Sequence, residues 1–455
     1  MLDAVLGARP PGLDDALALV DGVDDALVHG LARIDERRAG ALRSAAAAFS
    51  SSPLAARVAD SVEGILAGEV TDENLAALAG ARCALLGAAH DALLGGVDAA
   101  LGRVREPWAA PDRPAEHGHL LAGGRSWLRE LAIAGWRGVD HDVAGGAGSA
   151  VAALTADPST RRLAVLLDGF AAELRATAPV SSLDRVPARR WADLWSRALL
   201  LARPGFPGHE SAPVDGRLLI LGVDLHEHPT VFRAQAHGLL ETRDGGVRLV
   251  RTGAASAKVD TISGASAWRM LRAFPVLRTA LAERRAVEVS GMPLTPAGDL
   301  LWDEDRAAVG EPVDPFAVAR VRLGAATAAP PPPLDRHPAA IAEPVLLEDY
   351  AARSGSFDLG GGTSLAVDLD RLPAAGPLTA ALVGASTSCL GLLRWDGRWA
   401  VQPLAVQAVV RKKTVVAHSG DWALGPLDAK AAKAEAVQGT AVDVLRERAG
   451  ALLRR

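Results

Sequence analysis

Between Arg203 and Asp215 the texture of this chain changes. Before the change, Ala- and Leu-rich segments carry apolar residues at helical spacing; after it, short runs of strand-forming residues are cut by Gly, Pro and Asp-Gly pairs. An apolar stripe at a period of about 3.6 residues buries one face of a helix, and one at a period of two buries one face of a strand, so one pattern cannot serve as the other. The change therefore predicts an α+β multidomain chain: an N-terminal all-α domain over 1–203, followed by mainly antiparallel α+β structure. At 455 residues the chain is long enough for about two to four domains, each with its own core.

In the first half, Leu17, Val20, Leu27, Val28 and Leu31 fall close to helical spacing, and Thr71 is placed to cap a long helix running from Asp72 to Arg103. Asp157 and Pro158 read as the start of another helix. Pro187 opens the sharpest one, in which Trp191, Leu194, Trp195, Ala198, Leu199 and Ala202 form one stripe. Two tryptophans a turn apart make a large apolar anchor. It serves either to pack the helix between the helical and β parts or, if exposed, to dock a partner.

Beyond Gly216 strands are expected over 217–225, 230–241 and 247–251, the last two joined by a turn at Asp244-Gly245-Gly246. A helix over 264–284 and a return to strand at 286–290 complete an α+β domain at 216–325. Four consecutive prolines, Pro330 to Pro333, mark 326–340 as a stiff linker. The remainder, 341–455, reads as a small β domain, with a hairpin at Asp396-Gly397, a strand over 405–416 and a closing helix over 427–453.

Several function classes are disfavoured by composition. The basic residues number 49, but only five are lysine, and one Asn (Asn74) and one Tyr (Tyr350) accompany a large excess of Ala, Gly and Arg. Codon usage in a GC-rich genome produces this bias, so arginine abundance is poor support for nucleic-acid binding, and the net charge of −5 points mildly away from it. Cys83 and Cys389 stand alone, which disfavours a disulfide scaffold or a thiolate zinc site. The first residues lack a basic stretch followed by an apolar one, and the expected compartment is the cytoplasm.

Three constellations carry candidate chemistry. Asp224, His226 and His228 fall at i, i+2 and i+4 of an expected strand, one face of which would converge a carboxylate and two imidazoles on a zinc-like ion. His237 is a further candidate, although a hairpin turn at 227–229 would pair it near Ile220. His117 and His119 could be recruited from the helical half. Arg411, Lys412 and Lys413 form the one tight basic run, with Trp395, Trp399 and Trp422 near in sequence. They suit either single-strand nucleic-acid binding or the blunting of a strand edge. The stretch FDLGGGTSLAV, Phe357 to Val367, resembles the phosphate-binding turn of the actin and Hsp70-like ATPases, but the segment preceding it is a poor central strand. No complete nucleophile, Walker or His-Glu-x-x-His signature is present.

The helix 190–200, within RRWADLWSRALLL ending at Leu201, and the following GRLLILGV at Gly216 to Val223 are similar to uncharacterised actinobacterial proteins. These are linked to operons that pair a SWIM zinc-finger protein with a MoxR-type AAA ATPase and a von Willebrand A protein. The Cys and His ligands of a SWIM finger are missing here. The resemblance implies an accessory or adaptor role beside an ATPase that remodels other proteins, with that AAA ATPase or the von Willebrand A protein as partner. The leading expectation is thus a non-catalytic adaptor, with a metal-dependent hydrolase built on Asp224, His226 and His228 as the alternative, and a nucleic-acid-binding accessory protein behind both. The sequence specifies no cofactor.

Overall fold

The computed structural model describes residues 2–109, 120–203, 211–353, 355–426, 432–433 and 448. The expected closing helix over 427–453 and the pair His117 and His119 therefore lie almost wholly outside the described residues. Within them the chain is a helical half followed by two packed sheets, the multidomain α+β fold that the change of period predicts.

The helical half is built around Asp72–Leu101. Thr71 caps it by accepting from Asn74 N–H, as its position suggested, and its Leu75, Leu78, Leu85, Leu86, Leu93 and Leu94 are all buried. By length and composition this helix is apolar enough to cross a membrane. Its core-facing side, however, carries Arg82, fully buried and paired with Asp24 of helix Leu13–His29, Oδ1 lying 2.6 Å from Nε. Arg189 adds a second contact to the same carboxylate at 2.9 Å. Gly30, at the end of helix Leu13–His29, and Gly135, at the end of helix Ala122–Ala134, meet backbone to backbone. Gly135 has φ 71°, and a Cβ there would lie 2.2 Å from the nitrogen of Gly30. Only glycine permits both the conformation and the approach.

The first sheet contains β1 (Ala212–Glu227), β2 (Val231–Thr242), β3 (Val247–Ala257), β4 (Arg285–Leu294) and β5 (Ala307–Pro312), in spatial order β3-β2-β1-β4-β5 and antiparallel throughout. The second contains β6 (Ala342–Glu348), β7 (Ala351–Arg353), β8 (Ser356–Asp358), β9 (Ser364–Val367), β10 (Ser386–Trp395), β11 (Trp399–Val410) and β12 (Lys413–His418). Its order is β6-β10-β11-β9-β8-β7, with β12 also on β11 and β9 parallel to β11. The turns at Asp244-Gly245-Gly246 and Asp396-Gly397 form where turn chemistry placed them. The expected helix over 264–284 is instead a 3₁₀ segment, Gly264–Leu271, and a helix, Pro275–Glu283. Pro275 cannot continue the preceding turn but suits the first position of a new one.

The two sheets share a core. Leu219, Leu221 and Leu239 of the first meet Leu390 and Ala405 of the second around Phe316 and Ala319 of helix Pro315–Arg322. Gly222 lets them approach, since a Cβ at that position would lie 2.6 Å from the Leu404 side chain. The proline-rich stretch is not a free spacer. Thr327 bonds to Val247 and Leu249 of β3, Ala328 bonds to Val104 and Glu106 after the long helix, and Pro330, Pro332 and Leu334 are buried. The expected linker is a strap joining the helical half to the first sheet, because its carbonyls and the amides of its non-prolyl residues find partners on both sides.

Two expectations follow. Gly135→Ala should lower unfolding free energy by about 2–4 kcal/mol in urea titration, since it combines a backbone clash with left-handed strain. Burial pushes His237 and His418 down to about 3 and His337 to about 4, so all three are neutral in the fold. The unfolded chain binds those protons near pH 6.5, hence stability should fall as pH drops below about 6.5 and keep falling towards 4. Each imidazole costs about 1.4 kcal/mol per pH unit in that window, which urea midpoints measured at pH 7, 6 and 5 would record.

Candidate functional site

Trp191 and Trp195 lie inside the helical half, 1% and 0% exposed. The Trp195 indole donates to the Leu128 carbonyl at 2.9 Å and meets Trp136 edge to face at 6.5 Å; Trp136 and Trp127 both pack on Phe170. Trp191 donates to Glu173 Oε2 at 3.1 Å. The expected docking anchor is thereby corrected: both indoles are spent on a core cluster, in the middle of the helical half and not at its junction with the sheets.

β1 places Asp224 and His226 on one face, as alternation requires, and His226 Nε2 lies 2.9 Å from Asp224 Oδ2. His228 sits beyond the strand end, where its Nδ1 pairs with Thr230 Oγ1 at 3.0 Å. His237 is on β2 opposite Gly222, close to the register that the hairpin argument gave. What the spacing could not reveal is that the second sheet reaches the same carboxylate. Arg394 of β10 donates to Asp224 Oδ2 at 2.8 Å, Gln402 of β11 donates to Oδ1 at 2.7 Å, and Arg394 Nε also bonds to Gln402 at 2.6 Å. Burial would raise the Asp224 carboxyl, but the His226 contact, the Arg394 charge and the Gln402 hydrogen bond outweigh it and hold it well below the usual range. Three of the carboxylate's roughly four lone-pair positions are already taken, and the His228 ring is turned to Thr230, so the three side chains do not converge on one point. Among the described residues no group of three or more His, Cys, Asp or Glu side chains is arranged to hold one. The Asp224, His226, His228 metal site is corrected to a cross-sheet polar clasp.

Beside the clasp lies an open groove of about 650 Å³ whose lining includes Asp224, His226, Glu227, Lys258 and Arg371. Lys258 is held there with its side chain 2% exposed, donating to the Ile262 carbonyl at 2.8 Å. Asp224 and Lys258 are already bound within the protein, and the rings that face outward are His226, about half exposed, and His228.

Arg411, Lys412 and Lys413 do not lie along one strand. Val410 pairs with Lys413, and Arg411 and Lys412 form the two-residue turn between β11 and β12 with φ of 49° and 65°. Sequence reasoning ran a single strand through this point because neither residue is one of the Gly, Asn or Asp types that such turns favour. Of the tryptophans expected to stack bases, Trp395 and Trp399 are each 5% exposed and pack on one another, and Trp422 is half-buried against the core of the first sheet. Phe357 to Val367 forms β8, a glycine loop and β9. The Gly360 amide within it bonds to Asp358 Oδ1 at 3.1 Å, and the Asp358 carboxylate also pairs with Arg353, so an acidic side chain occupies the loop where a phosphate would have to approach.

The polar groups that sequence reasoning missed are those joining distant segments. Arg103 and Arg105, just past the long helix, converge on Glu343 of β6 at 2.6 and 3.0 Å, and Asp98 binds Arg105 from the other side at 2.7 Å. Nothing local marks them, since the partners are some 240 residues apart.

The clasp yields a stability test. Asp224→Ala leaves the largely buried Arg394 without its counter-charge and should cost about 3 kcal/mol in urea unfolding, whereas the apolar triple replacement Asp224→Leu, Arg394→Met, Gln402→Leu should cost markedly less. Comparison of the chain with protein-family models, with curated proteins and with solved structures finds no match.

Proposed function

We propose that this chain is a non-catalytic protein-binding component of a cytoplasmic bacterial complex, an adaptor that engages its partner through the β11–β12 hairpin. The observation that carries this reading is the makeup of the hairpin tip. Val410 and Val415, 39% and 38% exposed, share one face of the hairpin with Lys413, Val409, 53% exposed, leaves the other, and the exposed Arg411 and Lys412 form the turn at the tip. Exposed valines beside one sign of charge are the composition of a contact surface, and the charge selects an acidic rim on the other side.

The turn itself supports the reading. Two long basic side chains hold left-handed backbone where Asn-Gly would do so without penalty, at a cost of roughly 1 kcal/mol each. Among the described strands β12 pairs only with β11, which leaves its outer edge free to accept an added strand. The resemblance of the Trp191 helix and of Gly216 to Val223 to actinobacterial proteins makes a MoxR-type AAA ATPase or a von Willebrand A protein the partner of choice.

The test is co-purification of the tagged chain from its native host, with the bound proteins identified and quantified by mass spectrometry. Wild type should retain a stoichiometric partner whose recovery falls with salt. Arg411→Glu, Lys412→Glu and Lys413→Glu together should reduce that recovery at least about ten-fold while circular dichroism and the urea midpoint stay unchanged. Equal recovery of the same partner by the charge-reversed chain defeats the hairpin reading. Nuclease-sensitive recovery of RNA or DNA in its place would favour the nucleic-acid alternative.

A further inference from the structure

The two-residue turn at Arg411 and Lys412 fixes which way the backbone of β12 points. A β-turn is closed by the carbonyl of its first residue and the amide of its fourth, here Val410 and Lys413. Bonded and non-bonded pairs then alternate along an antiparallel ladder, so Ala408 with Val415 and Val406 with Ala417 are bonded pairs, and the pairs that contain Thr414, Val416 and His418 are not. The backbone groups of these three residues are turned away from β11. His418 shows the phase, since its N–H leaves the ladder to donate to Asp421 Oδ2 at 3.0 Å. Thr414 and Val416 have no such acceptor: among the described residues no strand pairs on that side, and no backbone bond outside the ladder reaches either one.

This edge is anchored and regular. Val416 packs on the core shared by the two sheets, and Ala417 and His418 are buried. The ladder runs from the Val410 and Lys413 pair to the Ala405 and His418 pair without a shift of register, and no proline interrupts it on β12. Proteins protect an exposed edge with bulges, prolines or charges. Of these only charge is present, and it has one sign. Arg411, Lys412 and Lys413 are exposed, and none forms an ion pair with a described carboxylate. Three unmatched cations repel a basic strand and admit an acidic one.

Resting on the hairpin reading above, we propose that the partner supplies an extended acidic segment that adds to β12 as a further strand and bonds to the outward backbone groups of Thr414 and Val416. Lys413 and Val415 share one face, two positions apart. The added strand therefore sets an acidic residue beside Lys413 and an apolar one beside Val415, with its carboxylates at the end near the turn. Single-stranded nucleic acid matches the charge but has no backbone amides to extend the ladder.

The peptide EETVTVTEE reads the same in both directions and carries its valines on one face of a strand, so it tests the site whichever way it runs. Titrated with a fluorescent label into the full chain and followed by anisotropy, it should bind saturably, and KKTVTVTKK should bind at least about ten-fold more weakly. Methylating the amide nitrogens of either its valines or its threonines keeps charge and side chains. Alternate residues bond to opposite edges, so one of these two variants should lose at least about ten-fold in affinity and the other should not. Thr414→Pro removes an outward N–H and leaves the ladder to β11 whole; it should weaken EETVTVTEE at least about ten-fold with circular dichroism unchanged. No saturable binding, equal binding of the basic peptide, or full affinity in both methylated variants overturns strand addition. So does oligothymidylate binding where the peptide does not bind, or a dimer of the unliganded chain that the peptide dissociates in sedimentation equilibrium, which gives the edge to a second copy. Co-purification separates this proposal from the hairpin reading. Partner recovery lost on charge reversal but kept in Thr414→Pro overturns strand addition alone, and recovery kept in both variants overturns both.

Discussion

Asp224 sits where β1 of the first sheet crosses β10 and β11 of the second, and each of its oxygens is claimed from the opposite layer. Two sheets packed through leucine and alanine alone could slide or rotate at small cost, because apolar contact is not directional. A buried carboxylate that must meet a guanidinium, an amide and an imidazole at hydrogen-bond distance allows one arrangement. Its contribution is geometric more than energetic: desolvating Asp224 and Arg394 consumes much of what their attraction returns, while any displacement of the sheets would strand both charges. Gly222 and Leu404 complete the joint by letting the layers come close enough for the clasp to form.

The helical half is tied to this pair of sheets in the same manner. Arg103 and Arg105 follow the long helix and grip Glu343 at the start of β6, while the strap at 326–340 hydrogen-bonds to residues 104–106 on one side and to β3 on the other. Within the helices, Asp24 collects Arg82 and Arg189. Two of these three ionic junctions thus fix the three parts of the chain relative to one another, and the third holds the helical half together. The β11–β12 tip, by contrast, extends past these joints, and its exposed valines and cations make no part of the packing.

Periodicity made the elements legible. The capped helix from Asp72, the helix after Pro187 and the hairpins at Asp244-Gly245-Gly246 and Asp396-Gly397 formed as local chemistry indicated, since caps, proline and turn residues act within a few positions. The candidate sites fared differently for reasons visible residue by residue. Alternation correctly set Asp224 and His226 side by side, but could not show that Arg394 and Gln402 would arrive from the other sheet. The Trp191 and Trp195 stripe was recognisable as apolar, yet a stripe does not state whether protein or solvent covers it. The turn at Arg411 and Lys412 was missed because its residues contradict the preference that identifies such turns.

What the sequence by itself determined is therefore the change from helix to antiparallel strand near residue 210 and several caps and turns, because these follow from backbone sterics and the side-chain repeat along one segment. Only the tertiary structure decided which polar groups are spent and which are left over. Asp224 is bound by partners about 170 residues away and Glu343 by partners about 240 away, while His237 and His418 are each enclosed with an Nε2 that no described residue meets. Hydrogen bonding and desolvation depend on distance in space, and between elements so far apart in the chain no local pattern encodes that distance.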